Sequence, residues 1–297
     1  RLTDELLALR LGRDGCVIAL GGGVTGDLAG FVAATYMRGI PFVQVPTTLL
    51  AMIDAAVGGK TGVDTPAGKN LVGAFHQPKT VLVDPRVLQT LPAAEVRSGL
   101  AEAVKHAAIA DARHFDALAA AASALCEADA EALAPVIARS IEIKAGVVGA
   151  DPFEAGPRKA LNFGHTIGHA LETLSDYGMA HGYAVAAGMV AEAELGEAAG
   201  FTERGTAERL RELLRGLGLP TGLPAGAEPS AVLEVARSDK KAREARTEYT
   251  LLARIGEVAR SGGKWTHPLP EDLVLAVLAR ESEPGGESRV SPNDGTI

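Results

Sequence analysis

The chain has little cysteine and few aromatic residues. Its 297 residues include only two cysteines, Cys16 and Cys126, with no Cys-x-x-Cys pair, which argues against a disulfide framework and a structural cysteine–zinc site. Aromatic residues make up only 4%, while alanine runs are common, which favours helix. No apolar stretch reaches the roughly 18 uncharged residues that a membrane helix needs. We find no signal peptide either, so we expect a soluble, cytoplasmic protein with no membrane partner.

The chain also lacks an excess of basic residues. It carries 29 Lys and Arg against 37 Asp and Glu, for a net charge of −8. A general nucleic-acid binder needs a basic surface, so nucleic acid is not an expected partner. At about 150 residues per domain the length suggests roughly two domains, and 47% hydrophobic residues suffice for a sizeable core.

The first third of the chain has an α/β pattern. Short apolar runs at residues 16–20, 42–45 and 81–83 predict parallel strands. Helical patterns cover about 27–37 and 47–57, the second capped by Thr47 and Thr48, and the glycine-rich stretch 58–73 is a long loop or a hairpin. We predict an incomplete Rossmann-like α/β domain over residues 1–92.

After Pro92 the sequence becomes helical. Residues 93–150 are nearly free of glycine and proline and predict three helices. Further helices are expected at about 158–176, 181–200, 203–217, 229–237 and 271–280, with a small hairpin turned at Ile255 and Gly256. We predict a mostly α-helical domain over 93–280 and a disordered tail over 281–297.

A glycine motif follows the first predicted strand. Residues 21–27 read GGGVTGD and contain the pattern GxGxxG at the start of a predicted helix. Glycines let the backbone approach a pyrophosphate, and the helix N-terminus offers N–H groups to its oxygens. Alone the motif is weak, because a plain glycine-rich turn also fits. The usual acidic residue about 20 positions later is not evident.

A second cluster combines cations with glycines. It consists of Asp54, the string GGKT at 58–61 with Lys60, and GKN at 68–70 with Lys69 and Asn70. Two lysines on a glycine-rich loop can hold an anion, although each lysine alone is more simply a solvated side chain. The string is not a P-loop, because position 53 is isoleucine rather than the required glycine.

The most specific pattern is a group of histidines. His165 and His169 are spaced i, i+4, and His181 begins the next predicted helix. Glu102 lies on an upstream helix. Three ligands drawn from Glu and His, with one position open, are typical of a catalytic divalent metal such as zinc. A lone histidine is usually a core residue, but three within seventeen residues favour a metal, and the spacing leaves open whether His165 or His169 is the ligand.

A last group of charged residues could bind an anionic substrate. It comprises Lys144, Arg158, Asn162 and the pair Lys240 and Lys241, each of which alone reads as a surface charge. Within the predicted helix over 158–176, Arg158, Asn162 and His165 share a face by i, i+4 and i, i+3 spacing. That arrangement predicts a site for an oxygen-rich anion beside a metal.

Several ordered strings closely resemble the 3-dehydroquinate synthase family between about residues 15 and 260. They are GGGVTGDLAGF at 21–31, PTTLL at 46–50, GGKT at 58–61, GKNLVGAF at 68–75 and LNFGHTIGHALE at 161–172. The resemblance implies an NAD- and zinc-dependent lyase of the shikimate pathway. Such an enzyme converts 3-deoxy-D-arabino-heptulosonate 7-phosphate to 3-dehydroquinate and phosphate, on the route to chorismate and the aromatic amino acids.

The resemblance also implies roles for individual residues. It assigns Glu102, His165 and His181 as ligands of zinc or cobalt. It also implies a homodimer in which Arg38 reaches the neighbouring site. It implies NAD contacts at Gly23, Val24, Thr25, Gly26, Asp27, Thr47, Thr48, Lys60, Lys69, Val87, Leu88, Gln89 and Thr90. It implies substrate contacts at Asp54, Lys60, Asn70, Lys105, Lys144, Arg158, Asn162, His169 and a lysine of the 239–241 string, for which we take Lys240.

Family members have further strands ahead of the glycine motif, and these supply an acidic residue for the cofactor ribose. This sequence begins at Arg1 and has only about fifteen residues there. We therefore expect weaker NAD binding than in an extended form. The alternatives are another sugar-phosphate cyclase, a polyol dehydrogenase of similar fold, or a truncated inactive chain.

Overall fold

The computed structural model describes residues 1–65, 68–238 and 247–282. They form two compact units, one of Arg1–Ala103 with Glu127–Pro152 and the other of Val104–Cys126 with Phe153–Ile297. The domain limits expected from the sequence, 1–92 and 93–280, stay predictions. Residues 283–297, most of the expected tail, lie outside the described residues.

The first unit contains a parallel sheet. Strands β1 (Val17–Gly21), β2 (Phe42–Pro46) and β5 (Thr80–Val81) are parallel in the order β1-β2-β5. Strands β3 (Lys60–Thr65) and β4 (Gly68–Phe75) pair antiparallel, so the glycine-rich stretch is a hairpin. The helices of this unit are α1 (Leu2–Ala8), α2 (Gly23–Thr35) and α5 (Ala130–Ala150), with the first part of α3 (Ala93–Ala110).

Helix α2 packs closely on the strands because two of its positions lack a side chain. A Cβ at Gly26 would lie 2.5 Å from Oε1 of Gln44 on β2. A Cβ at Gly30 would lie 2.5 Å from Cγ2 of Thr61 on β3. The helix begins at Gly23 rather than near residue 27 as predicted, because it starts directly after the strand with Gly22 as its N-cap.

The other face of this sheet is apolar and exposed. Ala19 is buried, while Ile18 and Leu20 are 68% and 66% exposed. Their partners in the register are Val43 and Val45, so the four side chains share one face of the sheet. Strand β1 is also the edge of the described sheet.

The third strand of this sheet is shorter than predicted. Only Thr80 and Val81 pair with β2, whereas 81–83 was the predicted range. The amide of Leu82 still donates to Gln44 O, but Asp84 then caps a 3-10 helix over Pro85–Thr90, which ends the extended backbone.

The second unit is mainly helical, as predicted. It includes α4 (Ala112–Cys126), α6 (His165–Leu174), α7 (His181–Ala198), α8 (Thr206–Gly216), α9 (Pro229–Ser238), α10 (Glu271–Glu281) and the last residues of α3. Strand β6 (Glu248–Tyr249) pairs with β9 (His267–Pro268), and β7 (Leu252–Arg254) pairs with β8 (Glu257–Val258) in the expected hairpin. An α/β first part and a mostly helical second part confirm the predicted fold class.

The predicted helix over 158–176 is wrong. The chain instead forms a 3-10 helix over Pro157–Asn162, and α6 begins only at His165. Gly164 between them has φ 79°, a left-handed conformation that interrupts a right-handed helix. Arg158, Asn162 and His165 therefore do not share the face of one helix.

Helices α6 and α7 approach each other through glycines. A Cβ at Gly188 would lie 2.0 Å from the carbonyl oxygen of Gly164, and one at Gly168 would lie 3.2 Å from the backbone of Ala184. Contacts this short exclude side chains, so the two backbones pack directly on each other. None of the helices in the described ranges has the length and apolarity to cross a membrane.

Candidate active-site residues in the two units

The glycine motif of the first unit forms an open turn between β1 and α2. Gly21 has φ 156°, and a Cβ there would lie 2.6 Å from Oγ1 of Thr25. The amide of Thr47, at the end of β2, donates to Gly21 O at 2.9 Å. Both strand ends therefore meet beside the N-terminus of α2, where unpaired N–H groups favour an anion.

The segment after Thr47 forms a short helical turn that carries Asp54. Oγ1 of Thr48 accepts a hydrogen bond of 3.2 Å from the amide of Ala51, which begins a helical turn. This turn is a π-helix over Ala51–Ala55 and carries Asp54. Single π-helical turns occur frequently at functional sites. The sequence predicted a helix here but not its wider turn.

Lys144 of α5 pairs with Asp54 in the same unit. Its Nζ lies 2.8 Å from Oδ1 of Asp54 and also donates to the carbonyl oxygen of that residue. The Lys144 side chain is buried, whereas Asp54 is partly exposed. An ammonium group fixed in this way is ready to bind an anionic group of a substrate.

Asp27, at the end of the glycine motif, lies in the same electrostatic environment. Burial raises its pKa to about 6, Lys144 opposes the rise, and Asp54 and Asp64 add to it. Three acids and one lysine of the first unit therefore interact.

The remaining cofactor positions of the first unit are spread over several elements. Lys60 is exposed at the start of β3. Leu88 is fully buried within the 3-10 helix Pro85–Thr90, so it could offer only its backbone to a ligand. The backbone of Lys69 and Asn70 lies in β4.

Three histidines cluster in the second unit. The ring centroids of His165 and His181 are 5.3 Å apart, those of His165 and His169 are 5.2 Å apart, and those of His169 and His181 are 6.2 Å apart. His165 and His169 belong to the first turns of α6, and His181 is the first residue of α7. The close packing of α6 and α7 brings these imidazoles together.

Two neighbours orient the rings. Nδ1 of His165 lies 3.1 Å from the carbonyl oxygen of Phe163, which can only accept a hydrogen bond. Nδ1 of His181 lies 3.5 Å from Oε1 of the buried Glu172. Ligand atoms of His169, Glu172 and His181 all lie within 4.8 Å of one another, so this cluster has donors suited to a divalent metal.

Glu192 of α7 holds the start of α6. Its side chain is fully buried. Oε2 accepts a hydrogen bond of 2.8 Å from the amide of Gly164, and Oε1 accepts one of 3.2 Å from the amide of Ile167. These two amides lie on either side of His165 in the sequence.

The predicted substrate cations are mostly buried. Arg158 is 2% exposed within the 3-10 helix, and Lys105 of α3 is 2% exposed. The Nδ2 of Asn162 donates a hydrogen bond of 2.8 Å to Oε1 of Glu154, so the side-chain amide of Asn162 is paired with a carboxylate. Glu102 is a fully buried carboxylate of α3.

The remaining predicted positions are Arg38 and the lysine of the 239–241 string. Lys240 and its neighbour Lys241 lie outside the described residues. Arg38 is exposed, with φ 66°, in a turn where Met37 also has a positive φ of 49°. Two consecutive non-glycine residues in this conformation mark a specialised turn.

Sequence reasoning missed Glu172 and Glu192. Glu172 follows His169 at i, i+3, a spacing that places both on one helix face. Glu192 is the only charged residue among positions 182–193, which are otherwise apolar or small except for Tyr183. A charge in such a run signals a buried, hydrogen-bonded role.

Comparisons with known proteins agree with these observations. Residues 1–98 match the family model described as 3-dehydroquinate synthase N-terminal, and residues 99–242 match the 3-dehydroquinate synthase C-terminal model. The chain is 52% identical over 273 residues to the 3-dehydroquinate synthase of Xanthomonas campestris pv. campestris (strain 8004), covering 90% of this chain and 72% of that protein.

Solved structures are similar as well. A 2-deoxy-scyllo-inosose synthase complexed with carbaglucose-6-phosphate, NAD+ and Co2+ superposes with a TM-score of 0.86 and 29% identity, over 94% of this chain and 78% of that one. The 2-epi-5-epi-valiolone synthase of Streptomyces hygroscopicus subsp. jinggangensis 5008, with NAD+ and Zn2+ bound, superposes with a TM-score of 0.85 and 30% identity, over 95% of this chain and 77% of that one. The resemblance first noted in the motifs is confirmed: the chain belongs to the 3-dehydroquinate synthase family.

Proposed function

We propose that the chain is a 3-dehydroquinate synthase that converts 3-deoxy-D-arabino-heptulosonate 7-phosphate to 3-dehydroquinate and phosphate. The observation that carries the proposal is that both family models match the chain along residues 1–242, which include the histidine cluster. The reaction is a lyase step of the shikimate pathway, and we place it in the cytoplasm.

The histidine cluster of the second unit fits a divalent metal such as zinc or cobalt. Imidazole nitrogens beside a carboxylate are ligands that both ions accept. We assign Glu102, His165 and His181 as the ligands. The contact of His165 Nδ1 with the Phe163 carbonyl supports this choice, because a ligating histidine usually donates its other ring N–H to such an acceptor.

His169 is the alternative ligand, and we assign it to the substrate instead. It is exposed, whereas His165 and His181 are partly buried. Glu172 would then orient His181 through its Nδ1, as carboxylates do for metal-binding histidines. This assignment keeps His169 available for proton transfer or for contact with the substrate.

The first unit fits NAD+ at the glycine turn. A side chain at Gly21, Gly22 or Gly23 would meet Thr25, Thr48 or Ala55, so only glycine keeps the turn open to a pyrophosphate. The start of α2 and the end of β2 at Thr47 would line the same ligand. When bound, the metal supplies polarisation of a substrate hydroxyl, and NAD+ supplies reversible hydride acceptance from that carbon.

The chain's own residues bind and orient the substrate. Lys144 is held in place by Asp54, and Arg158 offers a buried planar guanidinium to a carboxylate or phosphate. Together with Lys105 they would neutralise a substrate that carries both groups. Holding a flexible polyanion in one reactive conformation is the main contribution of such residues to the rate.

The test is a direct assay of the purified chain with NAD+ and Co2+ or Zn2+. Phosphate release from 3-deoxy-D-arabino-heptulosonate 7-phosphate, with formation of a product that a dehydroquinate dehydratase consumes, is the expected result. Glucose 6-phosphate, which lacks a carboxylate, should release none. Phosphate release from glucose 6-phosphate instead would support another sugar-phosphate cyclase, and alcohol-dependent NADH accumulation would support a polyol dehydrogenase.

We also propose a homodimer in which Arg38 reaches the neighbouring site. The exposed, left-handed turn at Met37 and Arg38 supports this proposal, because such backbone conformations persist where a side chain has to be presented. Sedimentation of the active form as a monomer would contradict it.

A further inference from the structure

Glu192 is a buried acid without an assigned role in the reaction. It lies in α7 among apolar and small residues and is fully buried. Removing a carboxylate from water costs several kcal/mol unless hydrogen bonds compensate. An apolar residue would avoid this cost, so the presence of a carboxylate at this position calls for a specific role.

The hydrogen bonds of Glu192 converge on one residue of the histidine cluster. Its two oxygens accept from the amides of Gly164 and Ile167, at 2.8 and 3.2 Å. Gly164 precedes His165 directly, and Ile167 follows two residues later. The carboxylate therefore fixes the backbone on both sides of His165, at a helix N-terminus that favours negative charge.

Glu192 also belongs to the helix that carries His181. The two residues are eleven positions apart, which is about three helical turns, so they lie on the same face of α7. The glycine contacts of Gly164 and Gly188 press that face against α6. Glu192 thus connects the helix of one proposed ligand to the backbone of the other.

We propose that Glu192 is a positioning residue for the histidine cluster. By binding the amides of Gly164 and Ile167, its carboxylate fixes His165 relative to His181, and this sets the affinity for a divalent metal. The inference rests on the proposed metal-dependent function, which it extends by a residue that need not touch metal or substrate.

The chain provides a matched control in the same helix. Oε1 of Glu197 accepts a hydrogen bond of 2.8 Å from the amide of Ala207, near the start of α8. Like Glu192, Glu197 is a carboxylate of α7 bound to the N-terminus of another helix. That helix, α8, carries none of the three clustered histidines. Glu197→Gln should therefore weaken a helix start without disturbing the metal.

The experiment is a Co2+ titration of the metal-free full chain, followed by visible absorption against a competing chelator. Glu192→Gln replaces one acceptor oxygen by an NH2 group that faces an amide N–H. We expect its Kd for Co2+ to rise about 10-fold or more, as for losses of other residues that orient metal ligands, with a changed absorption band. Glu197→Gln should stay within about 2-fold of the parent chain.

Thermal unfolding of the metal-free forms separates positioning from general stability. We expect Glu192→Gln to lose more stability than Glu197→Gln, because Glu192 is fully buried and binds two amides whereas Glu197 is partly buried and binds one. Only folded Glu192→Gln should also lose metal affinity. Equal Co2+ affinity in Glu192→Gln and the parent, or an equal loss in Glu197→Gln, would overturn the inference. If Glu192→Gln does not fold, Glu192→Asp is judged by the same criteria. Aspartate keeps the charge, but its side chain is one methylene shorter and cannot reach the two amides in the same way. A parent chain that binds no Co2+ would overturn the metal site itself.

Discussion

The two units hold their candidate sites by different means. In the second unit, the histidines are placed by backbone contacts at Gly164 and Gly188 and by the buried Glu192. In the first unit, which also carries the open glycine turn, Lys144 meets the partly exposed Asp54 through an ion pair and a hydrogen bond to its carbonyl oxygen. A metal requires its ligands within about 0.2 Å of fixed distances, whereas long cations can follow an anion. We therefore expect abrupt losses from changes to the histidine cluster and graded losses from changes to the cations that would bind an anion.

Replacement of His181 by alanine should have the largest effect. Two remaining protein ligands rarely hold zinc tightly, so bound metal should fall from about one per chain to nearly none. Loss of metal polarisation is worth several kcal/mol, and we expect turnover to fall by about 1000-fold or more. Elemental analysis of the purified variant and the phosphate-release assay measure both effects.

His169→Ala is the matched comparison for that variant. It should keep near-normal metal content and slow turnover, because His169 is assigned to the substrate. Metal present in His181→Ala and absent from His169→Ala would reverse the assignment, in favour of the set His169 and Glu172 whose atoms already lie close to those of His181.

A methyl group at Gly188 should break the packing that brings the histidines together. The new Cβ would lie 2.0 Å from the carbonyl oxygen of Gly164, so α6 and α7 would have to separate. We expect Gly188→Ala to lower the free energy of unfolding by about 3 kcal/mol. Urea denaturation of the metal-free chain measures this change.

The first unit offers the contrasting glycine. Gly149 of α5 has no atom within 4 Å of a Cβ built on it. Gly149→Ala should therefore stabilise the chain by about 0.5–1 kcal/mol, because alanine loses less backbone entropy in a helix. Similar destabilisation by both substitutions would show that close α6–α7 packing does not distinguish the second unit.

These contacts also show where sequence reasoning succeeded and failed. The glycine turn and most of the helices after Pro92 follow from local periodicity and glycine content and were predicted, whereas the hairpin within 58–73 was one of two alternatives. The break at Gly164 was not, because the sequence around it reads as one helix. The amide of that residue binds Glu192, 28 positions away, and its φ is positive. Long-range capping of this kind has no local signature.

The site followed the same division. The histidine spacing pointed to a metal without alignment, but it left His165 and His169 equivalent. The Phe163 carbonyl at His165 Nδ1 is a feature of the folded backbone. Likewise, the pairing of Asp54 with Lys144 joins residues ninety positions apart, and no sequence spacing predicts it.

Arg158→Lys should produce a smaller, graded loss. Lysine keeps the charge but cannot reproduce the planar fork of donors that binds a carboxylate or phosphate. We expect kcat/KM to fall about 10-fold or more, which corresponds to roughly 1.4 kcal/mol of transition-state binding. Steady-state kinetics at saturating NAD+ test this, with Arg209→Lys as a control at an exposed ion pair with Asp116. Unchanged kinetics in Arg158→Lys would remove that residue from the site.

Another small expected effect concerns the pH dependence of stability in the first unit. Asp27 has a pKa of about 6 in the folded chain against 3.8 normally, chiefly because of burial. The folded state therefore binds the proton more tightly, and this group makes the free energy of unfolding decrease as pH rises from about 4 to about 6. The full difference would correspond to about 3 kcal/mol, but Asp27 is only partly buried and Lys144 opposes the shift, so we expect about 1 kcal/mol. Asp27→Asn should remove that decrease.

Urea denaturation of the parent and Asp27→Asn between about pH 4 and pH 7 measures the difference between the two curves. Subtraction is necessary because Glu281 of the second unit, with a pKa raised to about 7 by burial and by a hydrogen bond with Glu194, destabilises the parent in the same direction. That contribution is common to both chains and cancels. Because Asn cannot ionise, the free energy of unfolding of Asp27→Asn should rise relative to that of the parent as pH increases from about 4 to about 6. The difference should then stay constant up to about pH 7. Parallel curves would mean that Asp27 titrates normally, and that the acids around Lys144 are well solvated rather than gathered in a half-buried site.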